Sequence, residues 1–163
     1  VKKFMVVSTL ILMMSAFVFG FGIELGAGVN IMGFLGLGLT LPTIAAGVNV
    51  PIAGNFSLTG QFDTLLLTSL STSTAFMVLG GGRYTFDMKQ MKLFVGADGG
   101  VMTNFTSTSA MIPVFGVNGG VLFQMFYVKG AMRWMSIRTG EPSANINFLL
   151  QLMELTAGIN WVF

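Results

Sequence analysis

The chain has 163 residues, 53% of them hydrophobic and only 9% charged. A soluble domain carries about 25% charged residues, so this composition excludes an ordinary water-soluble globule and points to a membrane class. The 22 glycines and 16 phenylalanines suit neither a leucine-rich helical bundle nor a disordered chain, and cysteine and histidine are both absent. That removes disulfides, a lipid-modified N-terminal cysteine, the usual metal ligand and the usual general base near neutral pH. No cofactor is expected.

Residues 1–20 read as a secretory signal peptide. Lys2 and Lys3 form a basic start, Phe4 to Met14 an apolar stretch, and Ser15 to Gly20 a smaller-residue end. Cleavage after Gly20 leaves Val18 and Gly20 at the −3 and −1 positions. The alternative is an uncleaved anchor, but the uncharged run is short for a helical span. The whole chain has eight basic and six acidic residues. Without Lys2 and Lys3, six of each remain, so net charge gives no reason to expect a nucleic-acid or acidic-lipid partner.

Residues 21–163 contain eight segments with a period of two, each with one apolar parity and one polar or glycine parity. The predicted strands begin with Phe21 to Asn30, where Ile23, Leu25, Ala27 and Val29 face out and Glu24 and Asn30 face in. Thr43 to Val50 puts Ile44, Ala46 and Val48 out and Thr43 and Asn49 in. Asn55 to Leu65 puts Phe56, Leu58 and Phe62 out and Ser57, Gln61 and Asp63 in. Ala75 to Phe86 puts Phe76, Val78 and Tyr84 out and Arg83 and Thr85 in. Met91 to Thr103 puts Leu93, Val95 and Val101 out and Asp98 in. Ile112 to Phe123 puts Phe115, Val117 and Val121 out and Asn118 in. Phe126 to Met135 puts Val128, Met132 and Trp134 out and Tyr127, Lys129 and Arg133 in. Leu150 to Phe163 puts Met153, Leu155, Ile159, Trp161 and Phe163 out and Glu154, Thr156 and Asn160 in.

The connections alternate as well. Longer segments follow the odd strands: Ile31 to Pro42, Leu66 to Thr74, Asn104 to Met111 and Ser136 to Leu149. Short turns follow the even ones: Pro51 to Gly54, Asp87 to Gln90, and Gln124 with Met125. Long external loops, short periplasmic turns and an even strand number are expected of an outer-membrane barrel with both termini on the periplasmic side. Residues 33–41, GFLGLGLTL, are too apolar for a comfortable solvated loop. Leu35, Leu37, Leu39 and Leu41 are odd, whereas the outward set after Pro42 is even. Either the segment is a loop, or a bulge at Pro42 to Thr43 extends the second strand and shortens the loop to Met32 to Phe34. The Ser/Thr tracts at Thr68 to Thr74 and Thr103 to Ser109 read as solvated external loops.

Seven charged residues, Glu24, Asp63, Arg83, Asp98, Lys129, Arg133 and Glu154, lie on the polar parity, and the apolar parity carries none. The fold expected is all-β: an eight-stranded, antiparallel, up-and-down transmembrane β-barrel with a greasy outer face and a polar lumen. In so narrow a barrel the lumen is just wide enough for side chains to fill. Strand neighbours suggest Arg83 with Asp63 and Asp98, and Lys129 and Arg133 with Glu154. Phe21, Phe56, Tyr84, Phe86, Phe123, Phe126, Trp161 and Phe163 gather toward the periplasmic strand ends, and Phe62, Phe76, Phe105 and Trp134 toward the other, as two interfacial girdles.

The chain ends on LTAGINWVF, an alternating strand with Trp161 two before the terminal Phe163. Here it resembles the small OmpA/OmpX-type outer-membrane barrels. That resemblance implies a protein of the outer membrane of a bacterium with two membranes, and a C-terminal signal, Trp161 and Phe163, read by the insertion machinery. The expected partners are the lipid bilayer and that machinery, with no nucleic acid. Closure pairs every strand edge, so a monomer suffices. The function expected is non-enzymatic, structural or surface-interacting, with a lumen filled by the charged network. One alternative is a narrow conduit for a small or hydrophobic molecule, as in the OmpW-like barrels, for which the inward glycines leave space. Another is a helical inner-membrane protein, since 38 uncharged residues separate Glu24 from Asp63. An acid pair such as Asp63 with Asp98 is the one arrangement with a catalytic form.

Overall fold

The computed structural model describes residues 20–34, 37–66, 74–104, 111–138 and 147–163. The predicted signal segment up to residue 19, Phe105 and most of the two Ser/Thr tracts lie outside these residues. Eight strands follow one another: β1 (Gly22–Phe34), β2 (Leu37–Ala53), β3 (Phe56–Leu66), β4 (Thr74–Asp87), β5 (Lys92–Asn104), β6 (Ile112–Phe123), β7 (Phe126–Arg138) and β8 (Asn147–Val162). Each pairs antiparallel with the next, and β8 pairs with β1 from Gly22↔Val162 to Gly33↔Gln151, so the sheet is a closed barrel. Among the described residues there is no helix. The helical inner-membrane reading is therefore overturned: alternation and frequent glycine prevail over the length of the uncharged runs.

The described part of residues 33–41, Gly33, Phe34 and Leu37 to Leu41, belongs to strands, without the bulge, and Leu35 and Gly36 lie outside the described residues. The β1–β2 register runs unbroken from Gly22↔Asn49 to Phe34↔Leu37, with Pro42 opposite Val29. Pro42 fits because pairing of β2 with β3 begins only at Thr43↔Leu65, so on that side there is no ladder for its missing N–H to interrupt. The shift in register falls at the other end of β2, between Pro51 and Ala53. With no bulge, Leu41 keeps the inward parity and is buried in the lumen.

The short turns are tight. Gly54 adopts φ +53° and Gln124 φ +54°, each opening a two-residue turn. Met88 and Met91 close theirs by exchanging backbone hydrogen bonds of 2.9 and 3.2 Å. Outward, Leu25, Ile44, Phe62, Val78, Val95, Phe115, Val128 and Leu155 are all exposed and belong to every strand of the barrel. A continuous apolar wall of this kind is unfavourable in water and suits hydrocarbon. Aromatic pairs stand at both ends of the wall. Phe21 stacks on Phe163 (5.1 Å) and Tyr84 meets Phe86 (4.9 Å) at the short-turn end, while Phe62 meets Phe76 (5.5 Å) and Phe115 stacks on Trp134 (5.8 Å) toward the other.

Candidate functional site: a lumen filled in two tiers

The middle of the lumen is charged. Arg133 of β7 is wholly buried and reaches three carboxylates on three other strands. It contacts Asp63 of β3 (3.3 Å) and Asp98 of β5 through Nε (3.3 Å), and it pairs closely with Glu154 of β8. Lys129, four residues earlier on the same strand, binds Glu154 (3.1 Å) and donates to Gln61 Oε1 (2.7 Å). Gln61 in turn donates to Asp63 (2.6 Å), Asn118 to Asp98 (2.9 Å) and Thr156 to Glu154 (2.6 Å). Arg83 and Glu24 form a separate fork-to-fork pair, with Nη2 to Oε2 at 3.1 Å. The Arg83 guanidinium also lies 4.2 Å above the Phe94 ring centroid, a cation–π arrangement.

The seven predicted lumen residues thus fall into two groups, and neighbour-strand reasoning finds only part of one of them. Glu154 does meet Lys129 and Arg133. Arg83 meets neither Asp63 nor Asp98; it crosses the lumen to Glu24. The cause is the stagger of tilted strands. Asp63 lies opposite Met77, six residues along β4 from Arg83, or about 20 Å at the rise of a strand. Asp98 lies opposite Gly81 and turns to Arg133 instead. Asp63 and Asp98 are held by the same guanidinium, which uses them as ion-pair partners.

The upper lumen, toward the longer connections, is apolar. Leu41, Leu65, Ala75, Met77, Leu79, Val114, Met135 and Leu152 form one buried cluster, with Met32, Met102 and Ile112 packed against it. All eight strands contribute. Below the charged tier a smaller cluster, Phe94, Leu122 and Tyr127, lies toward the short turns. Sequence reasoning missed the cap because it assigned apolar residues to the outer face. Its signal was present in the runs AFMVL at 75–79 and LLL at 65–67, which are apolar on both parities.

Three of the inward glycines face space that lumen side chains already occupy. A Cβ on Gly116 would stand 2.7 Å from Arg133 Cγ, one on Gly120 2.7 Å from Phe94 Cζ, and one on Gly96 2.9 Å from Asn118 Oδ1. The long lumen side chains lie in the space the glycines give up. Asn30, opposite Glu154 on one side and Leu41 on the other, marks the border between tiers; it is wholly buried and neither amide atom has a partner. Among the described residues no group of acidic side chains is arranged to hold a metal ion.

No family model matches the chain, and no curated protein matches it in sequence. Solved structures do match its shape. Neisserial surface protein A (NspA) superposes with a TM-score of 0.66 at 15% identity, over 88% of this chain and 97% of that one. This is the fold of the small outer-membrane barrels. The outer membrane enzyme PagL gives 0.51 at 13% identity over 85% and 97%, and Ail, the attachment invasion locus protein of Yersinia pestis, 0.50 at 11% over 87% and 98%. The fold therefore hosts an enzyme as well as surface proteins, and shape alone does not choose between them.

Proposed function

We propose that the chain is a non-enzymatic integral protein of the outer membrane of a two-membrane bacterium, with a structural or surface-interacting role and a closed lumen. The observation that carries this is the two-tier filling: a buried ion-pair layer beneath an apolar cap drawn from all eight strands. On this reading residues 1–20 are removed on export, the short turns, the start of β1 and the end of β8 face the periplasm, and Trp161 and Phe163 present the insertion signal. The barrel works as a monomer in the bilayer, because closure leaves no strand edge to be paired. Against catalysis, each lumen carboxylate is engaged by a base, and histidine is absent. The test is planar-bilayer recording of the refolded barrel. Silence across many insertions is expected; a reproducible conductance that changes in Arg83→Ala, Lys129→Ala or Arg133→Ala replaces this reading with the conduit.

A further inference from the structure

A cavity of about 500 Å³ opens at the short-turn end of the lumen. Its wall includes Asn49, Ser57, Thr85 and Asn160, and its rim Asn55 and Gln124, all neutral amides or hydroxyls. Asn160 is only 8% exposed, and its Oδ1 and that of Asn49 receive no hydrogen bond. A buried amide oxygen without a donor is an exception that calls for a partner.

The two amides converge on a bare piece of backbone. Asn49 lies opposite Gly22 on one side of β1, and Asn160 opposite Glu24 on the other. A Cβ on Gly22 would stand 3.0 Å from Asn160 Oδ1 and 3.7 Å from Asn49 Cβ. The missing side chain leaves the room in which both amides can turn about χ2 toward the cavity. Beside them, the stacked rings of Phe21 and Phe163 also line the opening. Of the nearby charges, Arg83 pairs with Glu24 and Lys92 at the rim with Asp87 (3.2 Å), while Lys89 also lines the opening.

Neutral amides and hydroxyls at several angles next to a flat apolar edge match a molecule with many O–H groups on one side and C–H surface on the other. We propose that the short-turn mouth is a carbohydrate-binding site, about the size of a disaccharide, engaged by Asn49 and Asn160. An N-acetylated glycan and a plain oligosaccharide share this chemistry. The site rests on the orientation proposed above only for the compartment that supplies the sugar. Binding in micelles is measured without a membrane, and a conducting barrel would leave it unchanged, so the two readings fail separately.

The full barrel, ¹⁵N-labelled and refolded in a zwitterionic detergent without sugar head groups, is titrated to millimolar concentrations with chitobiose and, separately, with maltose. Saturable shifts of the Asn49 and Asn160 side-chain amides are expected, with Asn118, deeper in the lumen, unmoved. Response to chitobiose alone assigns an N-acetylated glycan; response to maltose assigns oligosaccharides in general. The double variant Asn49→Leu with Asn160→Leu should weaken binding at least tenfold. Gly22→Ala, which keeps both amides but fills their turning room, should do the same. Circular dichroism confirms that each variant is still a barrel. No shift with either sugar, a shift that survives the double variant, or a response to ethanolamine phosphate in place of sugar overturns the proposal.

Discussion

The charged tier and the apolar cap fill the same tube by opposite means. In the charged tier one side chain, Arg133, joins β3, β5, β7 and β8 across the lumen. In the cap the same work is spread over many methyl and methylene groups, none of which bonds to a particular partner. The charged tier therefore depends on few residues and tolerates no loss of them, while the cap depends on volume and tolerates rearrangement, above all at Met77 and Met135 with their flexible thioethers. A buried charge is safe only while its partners remain, whereas a packing defect is local.

The sharpest test of that contrast is Arg133→Met. It leaves Asp63, Asp98 and Glu154 facing one another with Lys129 alone, and breaking such a pair costs about 3–5 kcal/mol. The barrel should lose most of its urea-unfolding midpoint or fail to refold. Leu152→Ala in the cap should cost about 2–4 kcal/mol by the same assay, with the neighbouring methionines closing part of the cavity. A loss equal to that of Arg133→Met would erase the distinction between tiers. At the border, Asn30→Leu removes two unpartnered polar atoms and extends the cap downward. It should raise stability by about 1–3 kcal/mol; a fall would mean that Asn30 belongs to the charged tier. Outside the lumen, Lys92→Ala breaks an exposed pair with Asp87 and should change stability by less than about 1 kcal/mol.

The outer wall was legible because lipid imposes one rule on every strand, so alternation around Val95, Phe115 or Leu155 appears in the residues themselves. The lumen was only half legible. Glu24, Arg83 and Arg133 could be assigned to the inside by parity, but the partner across a barrel depends on tilt and stagger, which no single strand encodes. That is why the Arg83–Glu24 pair, joining β4 to β1, lay beyond reach while Lys129–Glu154, between neighbours, did not. The cap was hidden for a different reason: Met77, Leu79 and Leu152 sit in runs where both faces are apolar, and a period of two carries no information there. The same ambiguity produced the unneeded bulge at Pro42, since Leu41 looked outward only on the premise that every leucine must.

The seam between β1 and β8 bears on how fast the molecule can form. Its register joins Gly22 to Val162 and Phe21 to Phe163, the most distant contacts in the barrel. Ordering so long a loop before it returns any contact is the slow part of building a fold. The seven hairpins can zip locally, but neither edge strand has its second neighbour until the seam closes. Until then two rows of backbone amides stand open, and the chain is as ready to pair with another molecule as with itself. A carrier that keeps it apart during that interval would set its yield more than any residue in its lumen.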